Sequence, residues 1–356
     1  MATKKLSLEE KIGQRFIIGV NDSDILPIID LIEKCHIGGV ILYKKNYNSY
    51  SDMLKVIESL KEANKNNKIP LFIAIDQEGG IVNRMPPEVN NLRNIYDVSK
   101  HDKKLVPKYA DIIGNILASS GINMNLAPSL DIYNGSKSKV VFKRCFYGND
   151  EEVGALGKKY ILEMNNHNII SVAKHFPGHG ASKVDSHFII PYIHNYKDML
   201  VTQVNPFKMV LNDVPAIMLG HLVVRKLTNL LPVTMSNKFI INYIRCQCNY
   251  DGIVMTDEIN MLRRHLLYRF NYVNKILKSD NDIILVKIRN YKEGYKIINK
   301  YKNMLSKNKE LKENLDKHVD RILSVKNKYN ITDKINYKGI QIDKINKEID
   351  LLNKKI

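Results

Sequence analysis

Four segments of this sequence set ionisable side chains directly behind short apolar runs. Thr256-Asp257-Glu258 follows Gly252-Ile253-Val254-Met255, and Asp76-Gln77-Glu78-Gly79-Gly80 follows Leu71–Ile75, with Arg84 just beyond. Lys174-His175-Phe176-Pro177-Gly178-His179-Gly180 continues Ser171-Val172-Ala173, and Gly220-His221 closes Ala216–Leu219. A carboxylate fixed at a strand end, such as Asp257, can attack an electrophilic carbon or stabilise a cation. The same aspartate could instead cap a helix beginning near Ile259. Glu258 competes for the role, but successive strand residues point to opposite faces, so one of the two should turn away. Further along the Gly178–His187 loop, Asp185 and His187 are two residues apart. On an extended backbone their side chains share one side and can hydrogen-bond. An imidazole titrating near pH 6.5 suits general acid/base work. Glycines 178 and 180 permit unusual backbone angles there. Lys174, Arg84 and Arg144 could bind sugar hydroxyls, a carboxylate or a phosphate, although Arg144 also reads as plain surface charge. A zinc site built from His175, His179, His187 and Asp185 competes, without the helical His-x-x-x-His pair and neighbouring Glu that would strengthen it. His179 alone also reads as a structural histidine.

These groups need a scaffold that brings several strand ends together. Eight apolar runs recur, at Phe16–Val20, Gly39–Tyr43, Leu71–Asp76, Asn123–Pro128, Ser171–Phe176, Ala216–His221, Gly252–Asp257 and Asp282–Val286. Most lack strict alternation, as strands buried on both faces do. Amphipathic segments such as Asp52–Lys65, Lys103–Ser119, Asp150–Asn166, Ser236–Arg245 and Tyr291–Leu305 lie between or after them. The alternation and the count predict an α/β fold, a (β/α)8 TIM barrel with extra C-terminal helices. An open doubly wound sheet fits less well, because no Gly-x-Gly-x-x-Gly turn is present. Residues 1–306 are expected to form the catalytic barrel, and 307–356 a basic helical extension packed on it. From Tyr291 to the end there are 17 Lys and Arg against 9 Asp and Glu. Helices are expected near Lys309–Tyr329 and Asp343–Asn353, with Asn330–Asp333 as break and cap. They should close the barrel, unless the basic tail binds a partner.

The composition of the 356 residues, 44% hydrophobic and 26% charged, suits a chain with a real core and argues against wholesale disorder. No run approaches the roughly 18 apolar residues of a membrane span, and charged residues stand where a signal peptide's apolar stretch would be. A soluble, cytoplasmic chain is expected. The net charge of +18 could suit nucleic acid or a membrane surface. No Lys/Arg block reaches the roughly five to eight residues of a basic tract, so the charge reads as composition bias and no nucleic-acid or membrane partner is expected. Cys246-Gln247-Cys248 is half a metal site without a second pair and reads as a helix end.

Taken in order, Ala74-Ile75-Asp76-Gln77-Glu78-Gly79-Gly80-x-Val82-x-Arg84, Asn125-Leu126-Ala127-Pro128-x-x-Asp131, Lys174-His175-Phe176-Pro177-Gly178-His179-Gly180-x4-Asp185-Ser186-His187 and Thr256-Asp257-Glu258-x-x-Met261 resemble family 3 glycoside hydrolases. The resemblance is to the bacterial single-domain β-N-acetylhexosaminidases of peptidoglycan recycling and covers about Lys11 to Val286. It implies a (β/α)8 barrel and a retaining exo-β-N-acetylglucosaminidase acting on muropeptide-derived sugars, with no metal or organic cofactor. By the same resemblance Asp257 is the nucleophile, His187 the acid/base and Asp185 its orienting partner. Asp76, Arg84, Arg144, Lys174 and His175 then bind the sugar. An imidazole thus replaces one carboxylate of the usual glycosidase pair. Another β-glycosidase such as a β-glucosidase, a phosphorylase using phosphate in place of water, and a non-catalytic sugar- or nucleic-acid-binding protein remain alternatives. The chain departs from the family's Asp-Asp-Leu-x-Met at Asp257-Glu258-Ile259-Asn260-Met261. It also carries Leu262-Arg263-Arg264-His265 and Ser279-Asp280-Asn281-Asp282 where small residues and Gly are usual.

Overall fold

A computed structural model describes residues 3–133, 135, 141–181, 190–193, 195–264 and 271–356. Asp185 and His187 therefore lie outside the described residues. Eight parallel strands form one sheet: β1 (Phe16–Val20), β2 (Gly39–Leu42), β3 (Phe72–Ile75), β4 (Met124–Asn125), β5 (Ile170–Phe176), β6 (Ala216–Leu219), β7 (Ile253–Thr256) and β8 (Ile284–Ile288). Each pairs with its sequence neighbours, and β8 pairs with β1 through Phe16–Val20 against Ile284–Ile288. A parallel bridge between Met255 and Ile283, with Asp282 N donating to Val254 O (2.7 Å), joins β7 to β8 and closes the ring. The fold is a (β/α)8 TIM barrel. All eight expected runs are strands, with ends shifted by no more than a few residues.

The uninterrupted apolar runs resolve into two alternating sets. Ile17, Ile41, Phe72, Ala74, Met124, Leu126, Ile170, Val172, Ala216, Met218, Ile253, Met255 and Leu285 form one buried cluster inside the barrel. Phe16, Ile18, Val40, Ile73, Ile75, Ala173, Ile217 and Val254 face the surrounding helices as part of the larger core. Side chains of a strand alternate with period two, so the inward set continues at 174 and 287 near the carboxyl ends of β5 and β8, and at 43, 76 and 257 just beyond β2, β3 and β7. Those positions are Tyr43, Asp76, Lys174, Asp257 and Lys287. Apolar residues hold the inward positions along the strands, and polar ones take over at their carboxyl ends.

The opposite end of the barrel is closed by the C-terminal region. Helix Lys309–Lys328 sends Ile322 and Val325 into the interior cluster, and Tyr329 follows them. Lys326, on that helix, is buried; its Nζ donates to Gln14 Oε1 (2.8 Å), Gly38 O (2.8 Å) and Pro70 O (2.6 Å). The ammonium also lies 4.4 Å from the centre of the Phe72 ring. Three acceptors for three N–H donors satisfy a group that would otherwise be costly to bury. Asp282, fully buried just before β8, accepts from Arg245 (2.6 Å), Val254 N (2.8 Å), His318 (3.0 Å) and Arg321 (3.1 Å). Burial opposes its ionisation, but Arg245, His318 and Arg321 overcome it and hold the carboxyl below its usual range. The Ser279–Asp282 segment, unusual by family pattern, is thereby tied to helix Lys309–Lys328. Helix Ile342–Asn353 lies against helix Val106–Ser119 and is pinned at its rim by Asn346 and Asn353, which exchange hydrogen bonds with residues 88–93. Among the described residues no helix is long and apolar enough to cross a membrane.

Candidate active site

A cavity of about 1110 Å³ opens at the carboxyl ends of the strands and is lined by Asp76, Arg84, Arg144, Lys174, His175 and Asp257 among others. Six of the eight residues singled out from the sequence are thus brought together; the other two, Asp185 and His187, lie outside the described residues. The floor is apolar, made by Ile41, Leu126, Met218 and Leu285.

The carboxyl end of β3 supplies the anions. Asp76 faces the cavity in the inward register, and Glu78 is buried beneath it. Lys174 Nζ, at the end of β5, lies 2.8 Å from Asp76 Oδ1 and 2.6 Å from Glu78 Oε1. Arg144 makes a two-pronged contact with Glu78, Nε to Oε2 (2.9 Å) and Nη2 to Oε1 (2.8 Å). Burial alone would push Glu78 up, but Arg144 and Lys174 outweigh it and hold the carboxylate far below its ordinary range. Burial likewise opposes charge on Lys174, which Asp76 and Glu78 reverse, raising its pKa. Arg144 is therefore no surface charge, despite its place in a long connection.

The turn after β3 has a specific backbone requirement. Gly79 and Gly80 both have positive φ, at 79° and 58°, and a Cβ on Gly80 would strike Asn94. Gln77 ties the start of this turn to its end: its Oε1 accepts from Arg84 N (2.8 Å) and its Nε2 donates to Asn83 Oδ1 (2.9 Å). Asn125, at the end of β4, exchanges two hydrogen bonds of 3.0 Å with the Gln77 backbone. Arg84 is delivered to the cavity by this chain of contacts. In the loop after β5 the two glycines differ. Gly178 has φ 115°, whereas Gly180 is required because a Cβ would run into the Ile132 carbonyl.

Asp131 organises the histidines. Its buried carboxylate accepts from His175 Nδ1 (2.7 Å), Ser129 Oγ (2.9 Å) and the His179 amide (2.5 Å). With Nδ1 so engaged, the His175 ring presents Nε2 as its other polar atom. Burial opposes ionisation of Asp131, but His175 and the other donors lower its pKa from 3.8 to about 2. A carboxylate lowered on folding stabilises the protein above its unfolded pKa, and that contribution is lost as pH falls through the folded value. The span from 3.8 to about 2 corresponds to about 2 kcal/mol. Urea midpoints of wild type and Asp131→Asn should therefore differ in full above about pH 4 and converge as pH falls toward 2.

Asp257 continues the inward register of β7, one residue beyond the strand. Its Oδ1 accepts from Glu258 N (2.7 Å), while Glu258 Oε1 accepts from Asn260 N (2.9 Å) and Lys287 N (3.1 Å). Glu258, not Asp257, caps the helical turn Ile259–Arg264. Both side chains still line the cavity, because alternation lapses once the chain leaves the strand. Burial would raise the pKa of Asp257, but His175, His221, the Glu258 amide and Lys174 outweigh it, so the carboxyl is held ionised. Burial raises Glu258 instead. His221 bridges Thr234 Oγ1 (2.9 Å) and the Glu258 carbonyl (3.1 Å), bracing the Asp257–Glu258 turn. The roles of Glu78, Asp131 and His221 were not assigned from the sequence, although all three follow apolar or motif segments.

His179 is buried beside His175, with ring centres 6.0 Å apart, and burial lowers its pKa to about 4. Of the competing zinc set, His175 and His179 lie side by side, while Asp185 and His187 lie outside the described residues. Among the described residues Asp111, Glu163 and His167 have metal-ligand spacing, but on helices outside the barrel. Cys246 is exposed and Cys248 half-buried at the end of helical segment Phe239–Gln247.

Carboxylates, cations and an Asp-held histidine converging at the carboxyl-end mouth of a (β/α)8 barrel make the kind of site at which enzymes of this fold act. The chain belongs to glycosyl hydrolase family 3, whose N-terminal domain matches residues 7–325. It is 30% identical over 328 residues to Beta-hexosaminidase A of Pseudoalteromonas piscicida, covering 84% of this chain and 54% of that protein. It therefore spans about half the length of that relative. A Beta-hexosaminidase of Shewanella frigidimarina is 28% identical over 263 residues, covering 70% of this chain and 74% of the relative. A solved family 3 β-N-acetylglucosaminidase from Paenibacillus sp. str. FPU-7 superposes with TM-score 0.87 at 28% identity, covering 98% of this chain and 69% of that one.

Proposed function

We propose that this chain is a retaining exo-β-N-acetylhexosaminidase that releases terminal β-linked N-acetylglucosamine from peptidoglycan-derived sugars. The observation that carries the reading is Asp257: an ionised carboxylate in the inward register of β7, facing a cavity with Asp76, Lys174 and His175. In the first step its oxygen attacks the anomeric carbon while the leaving oxygen takes a proton, forming a covalent glycosyl-enzyme. In the second, water releases the sugar with its configuration retained. His187, oriented by Asp185, is proposed to give the proton and then take one from water. Arg84, Arg144, Lys174, Asp76 and His175 are proposed to hold the sugar hydroxyls. The names and folds of the hexosaminidase relatives support the choice of sugar. Turnover of an aryl β-N-acetylglucosaminide should exceed that of the matching aryl β-glucoside. Faster cleavage of the glucoside would reassign the enzyme to β-glucosidases, and release of sugar phosphate in phosphate buffer would reassign the acceptor.

A further inference from the structure

The cavity wall beside Asp257 holds two polar groups that the proposed reaction leaves unused, Glu258 and Tyr43. The two carboxyl oxygens of Glu258 have different surroundings. Oε1 takes both backbone donors, Asn260 N at 2.9 Å and Lys287 N at 3.1 Å. Oε2 makes no hydrogen bond among the described residues. Asn260 is itself fixed, since its Nδ2 donates to Lys287 O (2.5 Å) and its Oδ1 accepts from Tyr272 Oη (2.9 Å). Tyr43 is the inward residue just beyond β2. Its ring lies over Gly19, the inward position of β1 after Ile17, where a Cβ would come within 2.7 Å of the ring edge. The glycine therefore makes room for the ring, and the Tyr43 hydroxyl has no hydrogen-bond partner among the described residues. Burial opposes charge on both neighbouring carboxyls. At Asp257 the cations His175, His221 and Lys174 outweigh it; at Glu258 burial, joined by the Asp257 charge, outweighs the two amides and Lys287. Burial also keeps the phenols of Tyr43 and Tyr272 protonated. A carboxyl that receives two N–H donors on one oxygen carries its proton on the other. The wall beside the nucleophile thus presents two neutral O–H donors, at Glu258 Oε2 and at Tyr43.

We propose that Glu258 Oε2–H and the Tyr43 hydroxyl together bind the carbonyl oxygen of the sugar's 2-acetamido group, so that Glu258 selects the N-acetylated sugar. The inference rests on the glycosidase reading above and adds to it the residues that choose the sugar. With the anomeric carbon at Asp257 and the hydroxyls held on the β3–β5 side, the substituents on C2 and C5 reach this wall. An amide carbonyl has two lone pairs and accepts from two donors at once. The 2-hydroxyl of a glucoside stops two bonds short of that oxygen and leaves both donors unpaired. Donors left unpaired in a closed site are what make it reject an analogue lacking the acceptor.

Aryl β-glycosides of N-acetylglucosamine, glucose and 6-deoxy-N-acetylglucosamine test this through kcat/KM. Glu258→Ala should lose about tenfold more on the N-acetylglucosaminide than on the glucoside, and as much on the 6-deoxy analogue as on its parent. Glu258→Gln keeps the acceptor for the two backbone N–H groups and offers an amide N–H in place of the O–H. It should hold the selectivity within about threefold of wild type. Tyr43→Phe keeps the ring over Gly19, leaves the backbone contacts of Glu258 untouched, and should lower the selectivity about threefold. Equal losses on the N-acetylglucosaminide and the glucoside, a loss that vanishes on the 6-deoxy analogue, or a Glu258→Gln protein as unselective as Glu258→Ala would each overturn the proposal. Binding of the free sugars N-acetylglucosamine and glucose, followed by ligand-observed NMR, separates it from the activity. A wild-type preference for N-acetylglucosamine that Glu258→Ala loses and Glu258→Gln keeps supports the assignment even if no glycoside is turned over. An active enzyme whose selectivity survives Glu258→Ala combined with Tyr43→Phe overturns it and leaves the glycosidase reading standing.

Discussion

Asp257→Ala is expected to reduce kcat/KM on an aryl β-N-acetylglucosaminide by at least about 10⁴-fold, the scale seen when a covalent nucleophile is removed. Asp257 is in the inward register of β7, and the Glu258 amide fixes one of its oxygens. His175, His221 and Lys174 keep the carboxylate ionised against the cost of burial. Neither neighbouring carboxyl can take over. Glu258 is pushed toward its neutral form, and its Oε1 is held by Asn260 N and Lys287 N. Asp76 is tied to Lys174. Because its folded pKa is lowered, the ionised carboxylate contributes stability, and the substitution should cost some of it at neutral pH. Chemical denaturation alongside the rate measurement therefore separates lost chemistry from lost folding. Activity within tenfold of wild type in Asp257→Ala would exclude Asp257 as the nucleophile. First-formed product observed by NMR in the wild type should be the β-anomer; an α-anomer would exclude double displacement.

Glu78→Ala should be the most damaging substitution away from the reacting atoms. Glu78 is buried and is the common partner of Arg144 and Lys174, at 2.8 and 2.6 Å. Its removal leaves two buried cations beside Asp76, with Asp131 also near Arg144. Deleting one member of a buried ion network costs about 3–5 kcal/mol, far more than breaking a surface pair. The same loss frees Arg144 from its two-pronged anchor, so KM should rise more than kcat falls. Glu78→Gln retains the shape and should recover part of the stability while leaving KM high. Because the folded pKa of Glu78 is lowered, the wild-type advantage is present at neutral pH and disappears as pH drops well below 4.5. A Glu78→Ala protein as stable as wild type at pH 7 would show that the network contributes no net stability.

Much of this site is legible in the sequence because a barrel converts linear position into spatial convergence. A polar residue directly after an apolar run must lie at the carboxyl end of a strand, and all such ends meet at one mouth. Asp76, Lys174 and Asp257 needed no more than that. Arg144 did not fit the rule. It lies in a long connection, and only its contact with Glu78 shows why it belongs to the cavity. Asp131 was visible in the motif, but not as the residue that orients His175. Its partners are 44 and 48 positions away, beyond any local periodicity.

The basic C-terminal stretch shows the same division. Its composition predicts helices and excess charge, and both are present. Composition does not reveal that Lys326 plugs the floor of the barrel through three acceptors, or that Lys296 and Lys300 stand at its mouth. By itself the sequence determined the eight strands, the helices between them and the ends at which charges collect, because burial on both faces and helical periodicity are local properties of the chain. Tertiary structure decided which charges cancel. Coulombic pairing depends on distances of a few ångströms between residues tens to hundreds of positions apart, and only the closed barrel sets those distances.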